Sequence, residues 1–240
     1  MVKTSGSVSA AQPRKRRTQE ERTASTRAKL ISAAIDCLAR LGFSDATTAV
    51  IAEAAGTSRG AMLHHFPSKD ALLIAVVEHV LDESLSDYSD ELVAITDSRE
   101  RLLAAPLLAW KNILTPGYIA WLEVWLGTRA NKELAEQFRE SYDRVNKRAA
   151  MGMRQLAKDA GVTDLGRIED IRVLFVGAMR GLAIEAVIAG DARHLAAPVA
   201  EMRRLFELAL PSASGGTGKG PAAGPPDAPR KGRGVTARPK

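Results

Sequence analysis

Between residues 24 and 210 the apolar side chains recur every three or four positions, and nowhere is a period of two sustained. That pattern confines the chain to packed helices. In the first run Leu30, Ala34, Cys37, Leu38 and Leu41 share one helical face, and Gly42 ends it. Further periodic segments follow at 47–55, 58–65, 68–92, 98–114, 117–128, 131–160, 166–189 and 193–210. The breaks carry turn-forming residues: Gly56-Thr57-Ser58, Pro67-Ser68, Asp97-Ser98, Pro116-Gly117, Gly161, Gly166 and Gly190-Asp191. The expected fold is all-α, about nine helices without a sheet.

Both ends depart from the pattern. Residues 1–23 are rich in Ser, Ala, Thr, Lys and Arg and read as a disordered basic arm. Residues 211–240 are rich in Gly and Pro, with Val235 the one large apolar residue, and read as a disordered basic tail. Net charge is +6 over residues 1–30, −1 over 31–72, −4 over 73–210 and +5 over 211–240. A mildly acidic middle between basic ends suits a polyanionic partner. Nucleic acid is favoured over membrane, since no amphipathic basic helix accompanies the charge. Two solubilising tails would give the same distribution.

Several classes are excluded. The longest nearly uncharged apolar run, Leu102 to Trp110, is about half the roughly twenty residues of a membrane helix. Met1 to Gln12 is polar and small, so no secretory signal is expected. Cys37 is the single cysteine, which excludes an intramolecular disulfide and fits a reducing cytoplasm. On the apolar face of the first helix it reads as a buried, inert thiol. His64, His65, His79 and His194 form no HExxH or other metal-ligand spacing. GGTGKG at 215–220 lacks the spacing, the Ser/Thr and the preceding strand of a phosphate loop. No enzyme chemistry, metal or cofactor is expected.

The informative stretch is FSDATTAVIAEAAGTSRGAMLHHFPSKDALL, residues 43–73. Thr47 or Thr48 can cap a short helix whose inward face is Val50, Ile51, Ala54 and Ala55. Gly56 stands where that helix must end. Ser58 caps a second short helix after a tight turn, which makes a helix-turn-helix. The second helix offers Ser58, Arg59, Gly60, Ala61, His64 and His65, and leaves Met62, Leu63 and Phe66 to pack. Gly60 and Ala61 at the exposed front suit close approach to a backbone or a base edge. Lys69, in the first turn of the following helix, opposes the helix dipole, so a phosphate nearby is a reasonable partner.

The run TTAVIAEAAGTSRGAMLHHFPSKDALL, behind a helix such as STRAKLISAAIDCLARLGF, resembles the N-terminal DNA-binding domain of the TetR family of bacterial transcriptional regulators. The likeness covers residues 24–73. The resemblance implies a homodimer whose two recognition helices enter successive major grooves of a near-palindromic operator. It places Thr47 and Thr48 at the start of the second helix, with Thr48 on a phosphate. Ser58, Arg59, Gly60, Ala61 and His64 face the groove, and His65 and Lys69 hold phosphates. Arg59 is the expected base contact, since a guanidinium can bond guanine O6 and N7 together. Leu63 departs from the family, which often has a phosphate-bonding Tyr there. The arm residues Arg14-Lys15-Arg16-Arg17 can reach flanking phosphates or the minor groove. A helical scaffold that has lost DNA binding is the alternative that Leu63 and the acidic balance of 31–72 leave open.

For residues 74–210 the resemblance implies a helical bundle holding a small-molecule effector and the dimer interface, most often in a ligand-released repressor. Trp110, Tyr118, Trp121, Trp125, Phe138, Met151, Phe175 and Met179 are candidate pocket walls; each can equally be core. Pro106 is expected to kink or interrupt its helix. Glu123 and Arg129 read as a surface pair. The segment IEDIRVLFVGAMRGLAIEAVIAG is apolar nearly all round, which argues burial on more than one side. Gly177 and Gly181, with Val199, Met202 and Phe206 of the last helix, are the expected dimer seam.

Overall fold

The computed structural model describes residues 18–210. The basic cluster at 14–17 and the whole tail 211–240 lie outside the described residues. Among the described residues there are nine α-helices and no strand. They are α1 (Gln19–Asp45), α2 (Thr48–Ala54), α3 (Arg59–His65), α4 (Lys69–Val93), α5 (Ser98–Ile113), α6 (Pro116–Gly127), α7 (Lys132–Asp159), α8 (Leu165–Ala189) and α9 (Ala196–Ala209). Short 3-10 turns at Thr128–Ala130 and Arg193–Leu195 precede α7 and α9.

The first helix begins earlier than the periodicity predicts, so residues 19–23 are helix rather than arm. The cause is a capping box: Thr18 Oγ1 accepts from Glu21 N at 3.2 Å, and Glu21 Oε2 accepts from Thr18 N at 2.9 Å. At its other end α1 is interrupted at Gly42 (φ 79°, ψ 175°), which swings Phe43 away from the helix axis. Pro106 does not interrupt α5. The helix runs through it, and burial of Leu102, Leu103, Ala105 and Pro106 outweighs the one lost backbone hydrogen bond.

The core is continuous from the helix-turn-helix into the second half. Leu30, Leu38, Ile51, Met62, Phe66, Leu72 and Val76 belong to the same buried cluster as Trp121, Leu134 and Phe138. The reason is geometric. α1 lies along α6, and α4 runs from the helix-turn-helix to pack on α5, α6 and α7. The 73/74 boundary therefore falls inside α4. Ion pairs on the outside set the helix register: Glu78–Arg144 (2.9 Å) and Asp82–Arg148 (3.3 Å) tie α4 to α7, and Arg99–Glu207 (3.2 Å) ties α5 to α9. Each is half-exposed and worth about 0–1 kcal/mol, so they align helices that the core holds together.

Candidate functional site

Thr47 is the N-cap of α2, its hydroxyl accepting from Val50 N at 3.3 Å, and Thr48 is the first helical residue. Ile51 and Ala52 are the buried face of α2, with Val50 and Ala55 partly covered. Ala54 is exposed, a correction to the expected inward face, because α1 and α3 meet α2 on the side turned by Ile51. The helix ends in a Schellman arrangement: Gly56 N donates to Glu53 O and Thr57 N to Ala52 O, both at 2.9 Å. Gly56 has φ +66°, where a side chain would be strained. Ser58 then caps α3, accepting from Ala61 N at 3.1 Å.

Met62 and Phe66 anchor α3 in the core at 0% and 1% exposure. Ser58, Arg59, Gly60, Ala61 and His64 are exposed, and His65 is half-buried. Among the described residues none bonds the Arg59 side chain. Leu63 is 37% exposed rather than packed, because it turns outward with His64 on the face opposite Met62. The His64 and His65 rings meet edge to face at 71°, centroids 5.7 Å apart. The presented face is therefore short, bare and mostly small, with one guanidinium and one imidazole rising from it.

Three long-range contacts hold that face in place, and local sequence patterns do not reveal them. Arg27 of α1 donates to His65 O at 3.2 Å and lies over the Phe66 ring at 4.2 Å, pinning the end of α3. Lys69 Nζ donates to Phe43 O at 2.8 Å and sits 4.7 Å from the centre of the Phe43 ring. Burial there lowers the Lys69 ammonium below its ordinary range, against the pull of Asp70. Glu123 does not pair with Arg129; its Oε2 accepts from Phe43 N at 2.9 Å, so it joins α6 to the bend after Gly42. Gly127 completes this joint, since a Cβ there would collide with the Phe43 ring.

In the second half a cavity of about 210 Å³ lies between α4, α5, α6, α7 and α8. Tyr118 and Met179 are on its wall, together with Tyr88, Val176, Arg172 and Arg180. The other expected wall residues lie elsewhere. Trp121 and Phe138 are core, ring centroids 5.9 Å apart, and Trp125 stacks on Trp121. Trp110 packs between α8 and α9. Phe175 meets Phe206 edge-on at 5.2 Å. Met151 is 63% exposed. Each sits on a helix that contributes to the cavity, but on a face turned toward another neighbour.

The expected seam is also redistributed. Val199, Met202 and Phe206 are buried within the protomer, on clusters shared with α5 and α8. They fill the intramolecular α5–α9 contact, so they are not free to face a second chain. Gly177 and Gly181 do face open space. Beside them on the same stripe of α8 stand exposed Leu174, Ala178 and Ile188, and on α9 exposed Leu205 and Leu208.

Comparison with known proteins places this architecture. Residues 30–76 match the family model for bacterial regulatory proteins of the tetR family. An HTH-type transcriptional regulator, CymR, of Pseudomonas putida is 46% identical over 69 residues, 29% of this chain and 34% of its own length. An uncharacterized HTH-type regulator, Rv2912c, of Mycobacterium tuberculosis is 32% identical over 121 residues, 50% of this chain and 62% of its own. The chain thus spans between about a third and three fifths of the length of these curated relatives. A solved transcriptional-regulator structure from Saccharomonospora viridis, in complex with choline, superposes with a TM-score of 0.57 at 25% identity, over 77% of this chain and 94% of that one.

Proposed function

Starting from a chain that belongs to the TetR family, we propose a sequence-specific, DNA-binding transcriptional regulator that acts as a homodimer, represses from a near-palindromic operator and is released by a small molecule. It works by binding rather than by catalysis, in the cytoplasm. The observation that carries the reading is α3: a short helix anchored by Met62 and Phe66, with Ser58, Arg59, Gly60, Ala61 and His64 left bare on the other side. Small residues let its backbone approach a groove floor, and Arg59 is free to bond a guanine edge. Thr47, Thr48, His65 and Lys69 flank this face and suit phosphates. Lys69 can serve while still bonded to Phe43 O, since an ammonium has three N–H donors.

The second copy docks on the exposed stripe of α8 and α9. Gly177, Ala178 and Gly181 permit close helix approach there, and Leu174, Ile188, Leu205 and Leu208 supply apolar area that would otherwise face water. Residues 24–73 are the DNA-reading unit, and residues 74–210 carry the cavity and the interface. The joint between them has two parts: Glu123–Phe43–Lys69, and the bond from Asn131 Nδ2 to Asp70 Oδ2 at 2.8 Å. A ligand that shifts α4 or α6 moves both joints. The distance between the two recognition helices then departs from the roughly 34–36 Å of successive major grooves. The choline held by the structural relative supports responsiveness to a small molecule.

The test is a titration of purified protein on duplex DNA from the region beside its own gene, at low and moderate salt, against scrambled duplex. Competitor-resistant binding of two protomers per site, weakening steeply with salt, is expected. Equal, weak binding to both duplexes would overturn specific recognition and return the chain to a scaffold role.

A further inference from the structure

The cavity between α4, α5, α6, α7 and α8 is apolar except for a few groups, and their charge is one-sided. Its wall carries Arg172 and Arg180 and no Asp or Glu. The two arginines are not equivalent. Arg172 is 7% exposed and already neutralised, its Nε and Nη2 both bonded to the Glu169 carboxylate at 3.0 and 2.6 Å. Arg180 has no acidic partner within 4 Å among the described residues. Its Nη2 donates to the Tyr142 hydroxyl at 3.0 Å, and its Nε is buried without any acceptor. The guanidinium is held in place by rings: Trp125 at 4.9 Å, Trp121 at 5.2 Å and Tyr142 at 5.3 Å. Three faces of aromatic charge stabilise the cation but leave its in-plane N–H groups without an anion.

The Nε is closed to solvent and is not the group a ligand meets; what the cavity wall offers is the rest of Arg180, a cation with no carboxylate of its own. The remaining polar groups on the wall point to the same kind of ligand. Burial pushes the phenols of Tyr88 and Tyr118 up, so neither adds a negative charge to the wall. A cationic ligand finds no carboxylate here, and the cage of rings that would suit an ammonium group already holds Arg180. The neighbouring cleft, about 370 Å³, carries both signs, with Arg101 and Arg148 against Asp159, and shows no such preference. In size, a cavity of about 150 Å³ already holds benzene. The 210 Å³ here takes one ring or a short chain plus a headgroup.

Resting on the ligand-responsive reading, we propose that the effector is a small amphiphilic carboxylate, its headgroup paired with the Arg180 guanidinium and its apolar body against Val176, Met179 and Ile113. Arg–carboxylate pairs are strong and directional. The apolar wall adds affinity but little discrimination, so the acid group decides what binds.

The experiment uses the full chain and defined probes: 4-ethylbenzoate and octanoate, their primary amides, and tetramethylammonium, followed by calorimetry and thermal shift. At least one carboxylate is expected to bind about tenfold or more tightly than its amide, with the ammonium silent. Either the aromatic or the aliphatic body supports the assignment. Arg180→Gln is expected to erase the acid-over-amide ratio, and Arg180→Lys to keep part of it. If Arg180→Gln does not fold, the wild-type ratio and Arg180→Lys carry the test. Equal binding of acid and amide, binding of the ammonium, or a ratio unchanged in folded Arg180→Gln overturns the proposal. So does silence of both carboxylates at about millimolar concentration. Operator release is measured in parallel. A carboxylate that binds without releasing DNA upholds the site and counts against the release mechanism. Release by another compound, in protein blind to carboxylates, does the reverse.

Discussion

Around the helix-turn-helix, Leu30, Leu38, Ile51, Met62, Phe66 and Leu72 meet in one continuous core, each at 1% exposure or less. Toward α5, α8 and α9 the buried residues instead form three smaller clusters, centred on Leu103, Met179 and Ala186, with a cavity beside them. The first region presents a surface, so every side chain behind α3 is locked and its angle cannot drift. Under the proposed function the first holds a fixed face and the second receives a ligand, and it is in the second that close packing is relaxed.

Cutting the same kind of hole in each region should break the symmetry between them most visibly. Phe66→Ala is expected to cost about 3–5 kcal/mol and to abolish operator binding through loss of folded protein. Met179→Ala, next to space that already exists, should sit at or below about 2 kcal/mol, since that wall can relax. Chemical denaturation of both variants checks the order; equal losses would mean that the cavity is not a soft place. Arg59→Ala should leave the melting curve unchanged, because the side chain packs on nothing. It should weaken operator binding by about 1–3 kcal/mol, with relaxed preference at one base pair. A uniform loss on all duplexes would make Arg59 a phosphate contact. Ser58→Ala removes the cap of a seven-residue helix and should cost about 1 kcal/mol in stability, read from the thermal midpoint. The smallest effect is expected in acid. The bond from Arg172 holds the Glu169 carboxyl below its ordinary value of 4.5. That stabilisation is complete at neutral pH and is lost as pH falls through 4.5 and below. A thermal midpoint followed down to about pH 3 should drop more steeply in the wild type than in Glu169→Gln.

The helices were legible because their boundaries are written locally. Gly56, Ser58, Pro67-Ser68, Asp97 and Pro116 mark starts and stops within a residue or two. Thr18 and Glu21 carried an equally local signal, a capping box, hidden in a stretch whose composition reads as arm. The faces of the helix-turn-helix were also largely legible, since each helix there has one apolar side. Ala54 and Leu63 are the exceptions; the expected inward face includes Ala54, which is exposed, and hydrophobicity assigns Leu63 to the core, but its neighbour Met62 already fills that side. In the second half the same logic fails for a physical reason. α8 is apolar nearly all round, so periodicity cannot say which stripe meets α5, which meets α9 and which meets water. Val199, Met202 and Phe206 on α9 were as apolar as Leu205 and Leu208, yet the first three are inside and the last two outside. Arg27–His65, Phe43–Glu123 and Tyr142–Arg180 join residues 38 to 80 positions apart, a distance at which no local rule reaches.

Cys37 is the chain's single thiol and is fully covered where α1 packs beside α2 and α6, and burial pushes it above its ordinary value. A thiol reagent added to the native protein can therefore modify only those molecules whose first helix has parted from its neighbours. The rate of that single modification is a built-in clock for the opening of the helix-turn-helix half, needing no label and no mutation. If an effector or an operator changes the rate, the clock reads out how firmly each one holds that half shut.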